Sequence, residues 1–299
     1  MAYSTGSMGA LQIQGEQVSF KATDGLRLDG FLAGRRKAGL CIVYVHGMAS
    51  NFYSGGIPLA LMRAARRAGY SVLAANTRGH DIESSGTVAL GGKRRRIRTG
   101  TRYERFEESV RDIEGALRFL KSIGYSRFVL AGHSTGCQKI LYYQYRRRNR
   151  KVRALVLLAP DDDYNLNKKE LGRKWARLVK KARRMVRLGR GNACCPALPF
   201  SPQRFLSVAD PGRIEARLFN YDGKLREFSS IRIPMYVIFG SRDEGAVKPV
   251  EMYMKILREK ANSTAFDSML IRGASHSFTG YEDAMAASVV KWIADLPKA

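Results

Sequence analysis

The chain has 299 residues, 45% of them apolar and 26% charged, which is an ordinary globular composition and excludes collagen, coiled coil and simple disorder. Its length suggests about two domains, or one α/β domain carrying a sizeable insertion. Fifty-two Lys and Arg against 26 Asp and Glu give a net charge of +26, which fits nucleic acid, an anionic membrane surface, phosphorylated or carboxylated substrates, or solubility alone.

Met1 to Ala10 has neither a basic start nor a following apolar stretch, so no secretory signal is expected. The longest apolar runs, Ala154 to Ala159 and Met235 to Phe239, fall far short of the ~20 residues of a membrane span. A cytoplasmic protein without a membrane span is therefore the expectation. Cys41, Cys137, Cys194 and Cys195 show no C-x-x-C spacing, so neither a metal site nor a disulfide framework is predicted.

Gln17 to Ala22 and Leu26 to Ala33 flank the turn Thr23-Asp24-Gly25 and predict an opening β-hairpin. Leu40 to Val45 is a continuous apolar run, as expected of a strand buried on both faces of a parallel sheet. Strand and helix patterns then alternate. Helices are predicted over Pro58 to Ala68, Tyr103 to Ser122, Cys137 to about Arg148, Pro249 to Lys260 and Glu282 to Leu296. Strands are predicted at Ser71 to Ala75, Arg127 to Ala131, Ala154 to Ala159, Met235 to Phe239 and Ser268 to Ile271. This is βαβ architecture with a mostly parallel sheet. Residues 161–232 interrupt the alternation and are expected to form an inserted helical cap on a core of residues 1–160 and 233–299. Within it, Lys168 to Arg190 carries eleven Lys or Arg against the single Glu170, with Trp175, Leu178, Val179 and Ala182 at helical spacing facing inward. A second basic cluster, Lys93 to Arg98, is read as part of a Gly-rich loop, and Arg146 to Arg150 ends a helix, where cations suit the macrodipole.

Gly132-His133-Ser134-Thr135-Gly136 is a G-x-S-x-G sequence between a buried strand and a helix, the setting of a nucleophile elbow, so Ser134 is the nucleophile candidate. A serine hydroxyl needs a base. Of the four histidines, His276 follows the last strand, where the order Ser, acid, His requires it; His133 adjoins the nucleophile, and His46 and His80 stand at strand ends where orienting roles are open. The run Met235 to Glu244 ends in two adjacent carboxylates, of which Asp243 is the expected acid, with Glu244 as fallback. Backbone amides of Met48, after the third strand, and Thr135, after the nucleophile, are expected to form the oxyanion hole.

Together Val45-His46-Gly47-Met48, Asn76-Thr77-Arg78-Gly79-His80, Gly132 to Gln138, Gly240 to Asp243 and Gly273 to His276 resemble the serine α/β-hydrolase superfamily over nearly the whole chain. The Gly-His-Ser-Thr-Gly-Cys-Gln elbow further resembles a smaller group of uncharacterised hydrolases that includes fungal esterases opening ester-linked hydroxamate siderophores. The resemblance implies an α/β-hydrolase fold with an inserted cap. It also implies cofactor-free and metal-free hydrolysis of a small-molecule ester, while the basic surface leaves open an anionic acyl-thioester as substrate. The basic segment from Pro160 to Ile233 departs from what the elbow specifies, and a cap sets substrate choice. The rival reading is a hydrolase-fold protein that binds nucleic acid or acidic partners through its basic surface. Ser rather than Asp at position 134 argues against the haloalkane dehalogenases and epoxide hydrolases of the superfamily.

Overall fold

The computed structural model describes residues 13–34 and 39–297; the Met1 to Ala10 segment lies outside them. Strands β1 (Gly15–Lys21), β2 (Arg27–Ala33), β3 (Leu40–Val45) and β4 (Ser71–Ala75) are interrupted by helix α1 (Gly56–Arg67). A two-stranded hairpin follows, β5 (Ser84–Leu90) and β6 (Lys93–Thr99), then α2 (Ser109–Ser122), β7 (Arg127–His133), α3 (Thr135–Arg147) and β8 (Val152–Leu158). Between β8 and the next sheet strand lie α4 (Asp163–Leu171), α5 (Trp175–Arg187), α6 (Pro202–Ala209) and two single turns, α7 (Glu215–Leu218) and α8 (Arg226–Ser229). The chain closes with β9 (Met235–Arg242), α9 (Val250–Lys260), β10 (Phe266–Ser275) and α10 (Glu282–Asp295).

Eight strands form one sheet in the order β1-β2-β4-β3-β7-β8-β9-β10. The β1–β2 and β2–β4 pairings are antiparallel, and those from β4 to β10 are parallel. The runs Cys-Ile-Val-Tyr-Val in β3 and Ala-Leu-Val-Leu-Leu in β8 are apolar on both faces because helices cover both. One core lies against α2, α3 and α9, and the other against α1 and α10. The chain runs from β3 out to β4 and returns to β7 on the other side of β3. Loops leaving β3 and β7 therefore diverge at the carboxyl edge, where open α/β sheets form their crevices.

Three local readings change. Lys93 to Arg98 is not a loop but the second strand of the β5–β6 hairpin, held to the core by Val88 and Ile97 and by the Leu26–Val88 bridge. The basic helix is broken at Gly172, whose φ of 49° lies in the left-handed region, so α4 and α5 are separate. The stripe Leu178, Val179 and Ala182 packs against Phe205, Leu206 and Ala209 of α6, which gives the intervening segment a small core of its own. Leu218, Phe219, Tyr221 and Phe228 of the same segment instead join the core under α3 and α9. Among the described residues no helix is long and apolar enough to cross a membrane, and the four cysteines are free.

Candidate active site

Ser134 sits between the end of β7 and the start of α3 with φ 53° and ψ −128°, a strained conformation for a residue with a Cβ. Its flanking glycines permit the turn: a Cβ at Gly132 would strike the Gly136 carbonyl, and one at Gly136 would strike the Val45 carbonyl. The turn is held by Ser134 N–H donating to the Leu158 carbonyl (2.9 Å) and by Cys137 N–H donating to the Ser134 carbonyl (2.8 Å). Gly47 lies against it, so closely that a Cβ there would stand 2.9 Å from Ser134 Cβ and 3.5 Å from Ser134 Oγ. The loop after β3 and the residue after β7 therefore face one another.

The loop that carries Gly47 and Met48 is fixed from behind by His46, which is buried. Its Nε2 accepts from Thr77 N–H (3.0 Å), so its proton is on Nδ1, which donates to the Gly47 carbonyl (2.8 Å). Burial and the nearby Lys139 charge push this imidazole down to about 3, which keeps it neutral. Among the described residues no protein acceptor takes the backbone N–H of Met48 or Thr135. Thr135 N–H belongs to the first turn of α3, whose amides have no intrahelical partner.

His276 follows β10 and is oriented by both its backbone and its ring. Its Nδ1 lies 2.9 Å from Asp243 Oδ1, which joins the expected base to the expected acid. Its N–H donates to Glu244 Oε2 (3.0 Å), so the fallback acid holds the backbone instead of the ring. His133 also bears on it: because a carbonyl only accepts, His133 Nε2–H donates to the His276 carbonyl (3.0 Å), with the two rings 4.9 Å apart. Burial and the adjacent His276 push His133 down to about 4, so it stays neutral. With Nδ1 turned to the carboxylate, Nε2 is the nitrogen left for proton transfer. Among the described residues Ser134 Oγ has no hydrogen-bond partner.

A second carboxylate that spacing did not single out also reaches His276: Asp161 Oδ2, just past β8, lies 3.0 Å from Nδ1. Asp161, Asp243 and His276 bring one donor atom each within 4.8 Å of one another. The Nδ1 hydrogen bond is the one to Asp243, and Asp161 Oδ2 stands beside it at ion-pair distance. Asp163, two residues on, accepts from Thr135 Oγ1 (3.1 Å) and Gln138 Nε2 (2.9 Å); burial, with the nearby Glu215 and Asp161 charges, pushes it up to about 7. His80 is engaged elsewhere, between the Thr77 carbonyl and Ser84 Oγ. Arg78 of the same loop is a structural anchor on Asp112 (2.8 Å) and Asp24 (3.0 Å).

Behind the elbow, Lys139 of α3 pairs with Glu104 (2.7 Å) and donates to Thr77 Oγ1 (3.1 Å). Glu104 also faces Arg204 of α6 (3.9 Å), whose guanidinium is paired with Glu215 of α7. These four charges are fully buried and link the segment between β8 and β9 to α3.

Among solved structures the chain resembles siderophore hydrolase EstB from Aspergillus fumigatus, at 18% identity over 96% of this chain and 99% of that chain, with a TM-score of 0.67. It is also similar to the Pyrococcus furiosus esterase Pf2001 (17% identity, 98% and 95% of the two chains, TM-score 0.61). Est1E from Butyrivibrio proteoclasticus, solved with ferulic acid bound, matches at 16% identity over 93% of this chain and 98% of that chain, with a TM-score of 0.61. These likenesses show the α/β-hydrolase fold. A comparison with curated protein sequences finds no match. Residues 101–295, nearly two thirds of the chain, match the family described as protein of unknown function (DUF1749), and the chain belongs to that family.

Proposed function

We propose that the protein is a serine hydrolase that cleaves carboxylic esters through an acyl-enzyme on Ser134, with His276 as base and acid and Asp243 as its orienting carboxylate. The observation that carries the reading is the strained Ser134 at the β7–α3 junction, on the carboxyl edge where the His276–Asp243 pair also sits. Ser134 Oγ attacks the ester carbonyl as its proton passes to His276 Nε2. The imidazolium then returns that proton to the departing alkoxide. Water repeats the sequence on the acyl-enzyme: its proton goes to Nε2, its oxygen bonds the carbonyl carbon, and Ser134 Oγ leaves reprotonated. In both steps the amides of Met48 and Thr135 donate to the developing oxyanion, and their lack of protein acceptors suits that role. The esterase and hydrolase activities named for the structural relatives support the same reaction class.

In this reading residues 161–232 act as the cap that selects the substrate. Its first part is a small unit with its own core, tied to the elbow through Arg204 and Glu104. Short p-nitrophenyl esters test the activity. Turnover that is abolished in Ser134→Ala and in His276→Ala supports the reading, and a Ser134→Ala protein with unchanged turnover sinks it.

One observation favours an anionic acyl-thioester as substrate. On β6, Arg94, Arg96 and Arg98 alternate outward opposite Ala89, Thr87 and Ser85, and all three are exposed. Among the described residues none of them has an ion-pair partner. A cationic ridge of this kind raises the encounter rate of anionic ligands. Nucleic acid would exploit the same charge, but the chain carries no base-reading motif.

A further inference from the structure

An imidazole Nδ1 carries one proton, yet two buried carboxylates converge on it here. Asp243 Oδ1 lies 2.9 Å away and Asp161 Oδ2 3.0 Å away. The two aspartates leave neighbouring parallel strands, β8 and β9, at the same edge of the sheet. The backbone is shaped to bring them together: Gly245 N–H donates to Asp243 Oδ1 (3.0 Å), and a Cβ at Gly245 would collide with Asp161 Oδ2. The other oxygens, Asp161 Oδ1 and Asp243 Oδ2, are buried, and among the described residues neither has a hydrogen-bond partner. A structural aspartate is normally satisfied by its surroundings. Among the described residues, the one polar partner that the Asp161 carboxylate approaches is the His276 imidazole.

We propose that Asp161 is a second acid of this site, sharing the Nδ1–H of His276 with Asp243 so that either carboxylate alone holds the imidazole with Nε2 free. The proposal rests on the hydrolase reading above for its catalytic meaning. Loss of the acid is severe in a one-acid triad because the imidazole can adopt the wrong tautomer. With a second carboxylate at hydrogen-bond distance, the proton stays on Nδ1 after either is removed.

The arrangement also sets the working pH. Burial opposes the charged imidazole, but bonding and attraction to Asp161 and Asp243 overcome it and push His276 up to about 11. Burial, partly offset by His276, pushes Asp161 up to about 6. The neutral imidazole, the only form able to act as base, therefore gains population at a higher pH than in a one-acid triad, and removing either carboxylate moves that limb down. The other groups facing the cluster are His133 on β7, held neutral, Glu244 after β9, held below the usual range chiefly by its bond to the His276 N–H against a desolvation that raises it, and Asp163 at the start of α4. All three remain unchanged in the variants below.

The test follows the rate of fluorophosphonate labelling of Ser134 against pH in wild type, Asp161→Asn, Asp243→Asn and the double variant. Each single variant should label within about 100-fold of wild type and the double variant should lose ~10⁴-fold, the cost of an acid in a one-acid triad. The acid limb of each single variant should shift down by roughly one pH unit. A wild-type-like pH profile in Asp161→Asn, or an Asp243→Asn loss equal to that of the double variant, overturns the proposal. Should Asp161→Asn not fold, Asp243→Asn alone still decides whether a remaining Asp161 sustains labelling. Absence of labelling in wild type counts against the hydrolase reading instead. In that case ¹⁵N detection of the His276 titration in the resting protein decides the matter: a lower imidazole pKa in Asp161→Asn supports the shared proton, and an unchanged one refutes it.

Discussion

Arg204→Met removes the guanidinium that holds the segment between β8 and β9 to the core. Arg204 is fully buried, donates to both oxygens of the equally buried Glu215, and stands 3.9 Å from Glu104. Glu104 keeps Lys139 at 2.7 Å, but among the described residues Glu215 has no other cation. Burial raises the Glu215 carboxyl above its usual range even with Arg204 present. Without it, an uncompensated charge remains in the interior, a defect that costs ~3–5 kcal/mol. At a few degrees per kcal/mol for a chain of this size, the melting temperature should fall by roughly 10 °C. Because the cost is that of an orphaned charge and not of a lost contact, Arg204→Met combined with Glu215→Leu should recover much of it. Calorimetry at neutral pH measures both proteins. A melting temperature for Arg204→Met within about 2 °C of wild type would refute the reasoning, because that change is the size of a sub-kcal/mol effect.

Gly47→Val should reduce ester turnover far more than Met48→Leu, because a Cβ at Gly47 stands 2.9 Å from Ser134 Cβ while Met48 contributes its amide; steady-state kinetics with equal losses would contradict this. Asp163→Asn should raise the melting temperature at pH 8 and leave it unchanged at pH 3. A carboxyl lifted from 3.8 to about 7 contributes stability that is fully present below pH 3.8 and lost as pH rises through 7. Equal melting temperatures at pH 8 would show that the buried carboxylate carries no such cost. With an anionic thioester, kcat/KM should fall from 0.1 M to 1 M salt as the Debye length shrinks from ~10 Å to ~3 Å, while a neutral ester should respond little. Superimposable salt profiles would assign the +26 charge to some other purpose than steering substrate.

The strands of the eight-stranded sheet and the long helices were legible because their patterns are local. Leu40 to Val45 is apolar throughout, and the structure gives β3 those bounds. The predicted strand Ser71 to Ala75 is β4, and the predicted Pro249 to Lys260 helix is α9 to within one residue. The β5–β6 hairpin was not legible because consecutive cations mask its alternation, and Val88 and Ile97 alone carry the core-facing signal. Helix α5 was read with its preceding turn because cations and apolar residues keep helical spacing across Gly172. At the candidate site, Ser134, His276 and Asp243 stood out in the sequence because a motif, a chain order and a strand end mark each one. Asp161 meets His276 across 115 positions of sequence, and only the cluster Asp161-Asp162-Asp163 after a buried strand hinted at it. His46 was visible as a histidine at a strand end and His133 as the neighbour of the nucleophile candidate. Their roles depend on which carbonyl each ring meets, and that is decided by packing.

Covalent trapping tests the central claim most directly. After reaction with a fluorophosphonate at pH 8, peptide mass spectrometry should find one phosphonylated residue, Ser134, with labelling lost in His276→Ala. A protein that stays unmodified at Ser134, or that is modified at another serine with Ser134 intact, would contradict the account.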